Sequence, residues 1–188
     1  MEQIAGWSAV INGVAFITST VALLIFFSVG GIWGRVNDGL SVIWALTFIP
    51  IALFLYQLNR LDAPEVSLAA LVIGIAAMIV FANLQTLLIA GILKYQQTTT
   101  PVLASAAVIG IWLIINGVLG ISAQTLPAGL VLVGFVFGLS LILGSLAFWF
   151  AGERHILSAV AFLAATLSGT SWSIWLGILL LSGNLAIN

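Results

Sequence analysis

The chain has 188 residues, of which 63% are hydrophobic and 5% charged, with a mean hydropathy of +1.31. Four basic and five acidic side chains cannot clothe a surface in water, where soluble domains use about 25% charged residues, so the solvent is lipid. A net charge of −1 with scattered Lys and Arg excludes nucleic acid as a partner, and the absence of Cys excludes disulfides, thiolate metal sites and thiol catalysis.

A membrane-crossing helix needs about 20 mostly apolar residues, and backbone groups in hydrocarbon must bond internally. Six segments meet this: 5–29, 39–58, 67–93, 102–122, 128–150 and 156–182. The sequence predicts an all-α, polytopic transmembrane helical bundle, a single domain over residues 1–188 with short loops and antiparallel neighbours.

The first span follows no basic segment and runs from Ile4 to Phe27, beyond the 7–15 residues of a signal-peptide core, so it is read as retained. Asn37-Asp38-Gly39 offers an N-cap for the second span, and Pro50 inside it predicts a bend. Asp62-Ala63-Pro64-Glu65 reads as a capping box opening the third, and Thr100-Pro101 as the cap of the fourth. Gln124-Thr125-Leu126-Pro127 opens the fifth, and Glu153-Arg154-His155 makes an interfacial turn before the sixth. Gly134 and Gly138 in the fifth span, and Gly169, Ser173 and Gly177 in the sixth, are small residues at helical spacing that let backbones approach closely. Either the two spans pack on each other, or Gly134 and Gly138 serve a homo-oligomer.

No ionisable side chain lies in the middle of a span. Ion-coupled pumps and proton relays keep such groups there, and hydrolases need a base or a carboxylate pair. No catalytic residue, metal ligand or cofactor is therefore expected. Ile11-Asn12-Gly13-Val14 recurs as Ile115-Asn116-Gly117-Val118. An inverted repeat would put the two asparagines at opposite depths. Both lie about 10 Å below the same face at 1.5 Å per residue, so the recurrence is read as chance.

The polar groups within spans either hold helices together or line a cavity. Asn12, Asn116, Ser168 and Trp172 fall in one layer contributed by three helices, with Trp112 nearer mid-membrane. Mostly apolar walls with a few polar groups describe a pocket for a neutral or lipid-like ligand, so these five form the candidate ligand site.

Arg35-Val36-Asn37-Asp38, Ile49-Pro50-Ile51-Ala52 and Trp172-Ser173-Ile174-Trp175-Leu176-Gly177 resemble segments of small bacterial integral membrane proteins grouped as a domain of unknown function. The resemblance implies a helical membrane protein and transfers no site residue. The expectation is a non-enzymatic protein of a bacterial inner membrane, in contact with lipids, that binds a neutral or lipid-like ligand or serves a membrane complex as an accessory subunit. A small uncoupled transporter or channel is the alternative. Arg35, Lys94 and Arg154 share one side and Arg60 the other, which by the positive-inside bias places both termini in the periplasm.

Overall fold

The computed structural model describes residues 1–152 and 155–185. Among these, six helices follow in order: α1 (Glu2–Val29), α2 (Trp33–Asn59), α3 (Pro64–Ile89), α4 (Tyr95–Ser122), α5 (Ala128–Ala151) and α6 (Ile156–Leu181). Each is long and apolar enough to cross a membrane. Every helix packs against its chain neighbours, and α1 also packs against α6, so the bundle closes into a ring with α1 across from α4. One end of the ring, here the terminal face, carries Met1, the turn after α6 up to Leu185, and the α2–α3 and α4–α5 turns. The other end carries the remaining three turns.

Four helix starts differ from the sequence reading, the first by three residues, α1 opening at Glu2 rather than 5. α2 begins at Trp33 rather than 39, because Asn37 does not cap. Its Oδ1 accepts the Ser19 hydroxyl at 2.8 Å and its Nδ2 donates to Asp38 at 3.2 Å, which turns the side chain sideways onto α1 and its own helix. α4 begins at Tyr95, where the Gln97 Oε1 accepts the Lys94 N–H at 2.9 Å. Pro101 therefore lies inside that helix and not at its first position. The Asp62–Glu65 capping box does not form: the N-cap is Ala63, which has no side-chain cap, and Pro64 opens α3 by its fixed φ. α2 continues as a helix through Pro50. Of the interfacial turn before α6, Glu153 and Arg154 lie outside the described residues. His155 caps α6 by accepting the Leu157 N–H on Nδ1 at 3.3 Å.

α1 sorts its faces by size rather than polarity. α1 buries Ala5, Ala9, Asn12, Gly13, Ser19 and Ala22, and turns Ile4, Trp7, Val14, Val21 and Leu24 outward. Lipid tails are as apolar as leucine, so burying a large aliphatic chain gains little, whereas small residues let backbones close and polar residues find partners. Polar contacts bolt α1 to its neighbours. Asn12 Nδ2 donates to the Trp44 carbonyl at 2.7 Å and to Thr47 at 3.0 Å, and its Oδ1 accepts from Ser173 at 2.8 Å. The Thr20 and Thr166 hydroxyls meet at 2.9 Å. On the far side α4 and α5 meet through glycine instead. A Cβ built on Gly138 would lie 2.6 Å from the Gly110 carbonyl oxygen.

The two Ile-Asn-Gly-Val segments sit in different surroundings. Gly13 packs on Ile174 and Thr170 of α6, whereas Gly117 packs on Phe135 and Val131 of α5. Any 3+3 repeat matches α6 with α3 and α2 with α5, so equivalent glycines would face equivalent helices, and these do not.

Candidate functional site

The ring is plugged at mid-membrane by aromatic side chains. Phe48, fully buried on α2, is the hub: its ring centroid lies 5.2 Å from Trp44, 5.6 Å from Trp112, 6.3 Å from Phe137 and 6.4 Å from Trp172. Phe16 stacks on Trp44 at 4.9 Å and touches Phe137 at 5.6 Å, and Phe81 meets Trp44 edge-on at 5.2 Å. Rings at these separations and tilts attract one another beyond simple burial. The Trp44 indole N–H, enclosed among these rings, has no hydrogen-bond partner among the described residues. Gly74 makes room for the plug, since a Cβ there would run into the Trp112 indole.

The five residues expected to line a pocket fall in and around this plug. Trp112 and Trp172 converge, from α4 and α6, on the same Phe48 ring. Asn12 is fully buried, with both ends of its amide bonded to α2 and α6. Asn116, on the opposite helix, donates to the Trp112 carbonyl one turn back at 2.9 Å. Ser168 likewise returns to its own helix at the Ala164 carbonyl. The two asparagines thus do not share a hydrogen-bonded set, and the space between their helices holds protein side chains. Gly134 and Gly138 are also used within the chain: Gly134 lies beneath the Trp172 indole and Gly138 abuts α4, so a partner reaching either would have to displace α6 or α4.

Open space lies instead at the terminal face. A groove of about 530 Å³ runs between the end of α2, the α4–α5 turn and the C-terminal turn, lined by Gln57, Leu58, Asp62, Thr125, Asn184 and Leu185 among others. A depression of about 210 Å³ adjoins it, sharing Asp62 and Ala123 and reaching Asn59. Its walls follow from two helix endings of one kind. At the end of α4, the Thr125 N–H bonds the Gly120 carbonyl at 3.0 Å and the Gln124 N–H bonds Ile121 at 3.1 Å, with Gln124 at φ 53°. At the end of α6, Asn184 bonds Leu179 at 3.0 Å and Gly183 bonds Leu180 at 3.4 Å, with Gly183 at φ 71°. This pattern reverses the chain over the last turn and favours glycine at the left-handed position. Glycine holds that position on α6, whereas on α4 a glutamine holds it against its steric preference, at a cost of about 1–2 kcal/mol.

The α4 reversal aims the Thr125 hydroxyl at Asn59, whose Oδ1 accepts it at 3.2 Å. Asn59 is 1% exposed, and its Nδ2 has no partner among the described residues. A buried amide with one end engaged and two N–H donors idle costs on the order of 1–3 kcal/mol. Asp62, exposed beside it, supplies the anionic end of the groove. On the apolar side, Leu58 and Leu61 lead out toward the lipid-facing surface. Sequence reading missed this place because its residues come from three turns, each of which reads as a plain connection. The signal available was Asn59 itself, a polar side chain closing an otherwise apolar helix.

A closed ring of six apolar, membrane-length helices defines a polytopic integral membrane protein. No family model matches the chain, and no curated protein or solved structure matches it either.

Proposed function

We propose that the protein is a non-enzymatic membrane component that holds a lipid-like ligand at its terminal face, alone or as an accessory subunit. The observation that carries this is the groove above the plug, of a volume typical for small-ligand sites. Unsatisfied Asn59 donors lie at one end and leucines at the other. A lipid headgroup has acceptor oxygens for the Asn59 and Asn184 amides and donors for the Thr125 oxygen, whose own proton goes to Asn59, and its acyl chains fit the apolar exit past Leu58 and Leu61. The Phe48 plug favours binding over conduction, because a pore needs polar groups through the whole thickness and aromatic rings occupy its middle.

Native mass spectrometry of the protein released from mild detergent tests this. The expected result is a retained phospholipid, lost from the Thr125→Val, Asn184→Leu double variant while the melting temperature stays within a few degrees. Two hydrogen bonds of about 1 kcal/mol each correspond to about 30-fold weaker retention. Equal retention by both proteins overturns the proposal.

The membrane orientation belongs to the same proposal. With Arg35 and Lys94 on the cytoplasmic side, the groove opens to the periplasm of a bacterial inner membrane. Alkaline phosphatase fused after Asn188 is then active and a cytoplasmic reporter at the same place is silent. The opposite pair of results turns the groove to the cytoplasm.

A further inference from the structure

The outer surfaces of the helices face hydrocarbon, and the polar groups on them mostly return to their own backbone. The hydroxyls of Thr18, Ser28 and Ser171 each bond the carbonyl four residues back. Asn83 on α3 is different. It is exposed on the outside of the ring and makes no hydrogen bond among the described residues.

Its depth makes that costly. Asn83 precedes the last residue of α3, Ile89, by about 9 Å along the axis. The helix, 26 residues long and so about 39 Å, overhangs a core of about 30 Å by about 4–5 Å at each end, which leaves Asn83 about 5 Å inside the hydrocarbon. A helical side chain leans toward the N-terminus of its helix, here toward the membrane middle and away from the nearer headgroups. Asn83 is too short to reach back to water.

The surface around it has a regular order. Ala69, Ala76 and Asn83 recur every seven residues, with Val72, Ile79 and Thr86 between them at the other core position of a heptad, and all six are exposed. The opposite face of α3, with Ala70, Gly74, Ala77 and Phe81, is the one buried in the ring. An exposed heptad seam with small residues at one core position permits close approach of a parallel helix, and a single Asn at that position sets register and oligomeric state.

We infer that α3 is the self-association helix, pairing with α3 of a second copy through an Asn83–Asn83 amide contact. A second copy is the partner whose chemistry is given by the chain itself. All copies insert with one orientation, so their Asn83 residues lie at one depth. A carboxamide both donates and accepts, so it is complementary to its own image across a two-fold axis.

The absence of native cysteine allows a clean test. Ala76→Cys and, as control, Leu132→Cys on the lipid face of α5, 63% exposed, are oxidised in native membranes and resolved on non-reducing gels. The expected result is a dimer band for Ala76→Cys and a monomer for Leu132→Cys. In reconstituted phosphatidylcholine vesicles, Asn83→Leu should lower the association constant about 3- to 30-fold, the range of interhelical hydrogen bonds in membranes. Asn83→Gln, which keeps the amide, should retain most of the association. Because Asn83 is exposed, neither change disturbs the ring. Equal crosslinking at both cysteines, or unchanged association of Asn83→Leu, overturns the inference. So does an adduct in cells heavier than two copies combined with a monomer in vesicles, which assigns the seam to a different protein.

Discussion

Gly138→Leu is expected to abolish the folded bundle in detergent. The glycine lies on the α5 surface facing α4, where its absent Cβ would stand 2.6 Å from the Gly110 carbonyl oxygen and 3.0 Å from Ile114. The contact is reciprocal, since a Cβ on Gly110 would meet the Gly138 carbonyl. Overpacking usually costs about 1–3 kcal/mol when side chains can give way. Here the obstacle is backbone, so relief requires the two helices to separate along their length. Separation also withdraws Trp112 from Phe48, since α4 carries that indole. Even Gly138→Ala should lower the melting temperature by several degrees, and Gly138→Leu should elute as aggregate in size-exclusion chromatography. A monodisperse Gly138→Leu protein with unchanged melting temperature would place this face in lipid and the α4–α5 packing in error.

The spans were legible because about 20 consecutive apolar residues have few other meanings. The facing of each helix was much less so. In water the buried stripe of a helix is its apolar stripe, but here interior and lipid are equally apolar and that periodicity disappears. On α1 what remains is size. Ala5, Ala9, Asn12, Gly13, Ser19 and Ala22 on α1 mark its buried face as clearly as leucines would in a soluble protein. The small residues of α5 and α6 were read this way, and Gly134 beneath Trp172 is such a contact, but Gly138 turned out to face α4. Helix rise gives Asn12 and Asn116 a comparable level, about 15 and 9 Å from the terminal ends of α1 and α4. Their separate bonding was not legible, because depth carries no information about rotation around the axis. The groove was hidden for a different reason: it depends on how two helix ends reverse, one through a glutamine where glycine is usual.

Phe48→Ala should destabilise the protein more than any other single truncation in the plug, because Phe48 alone touches Trp44, Trp112, Phe137 and Trp172. In soluble proteins a buried Phe→Ala costs about 3–5 kcal/mol, part of it transfer from water and part the cavity. In a membrane the transfer part nearly vanishes, since the unfolded reference is also apolar. The loss is then mainly dispersion contacts and ring–ring attraction, and about 2–4 kcal/mol is expected on the same scale. Four rings around the vacancy, packed with neighbours on three other helices, cannot all collapse into it. An apolar cavity of this kind stays dry and accepts a small aromatic molecule. Benzene or indole added to Phe48→Ala should therefore recover part of the lost melting temperature and leave the parent unchanged. Phe48→Leu, which keeps most of the volume, should lose less and respond little to benzene. If Phe48→Ala melts with the parent, the plug adds nothing to stability. If benzene stabilises both proteins equally, it acts through the surrounding detergent and the vacancy has closed.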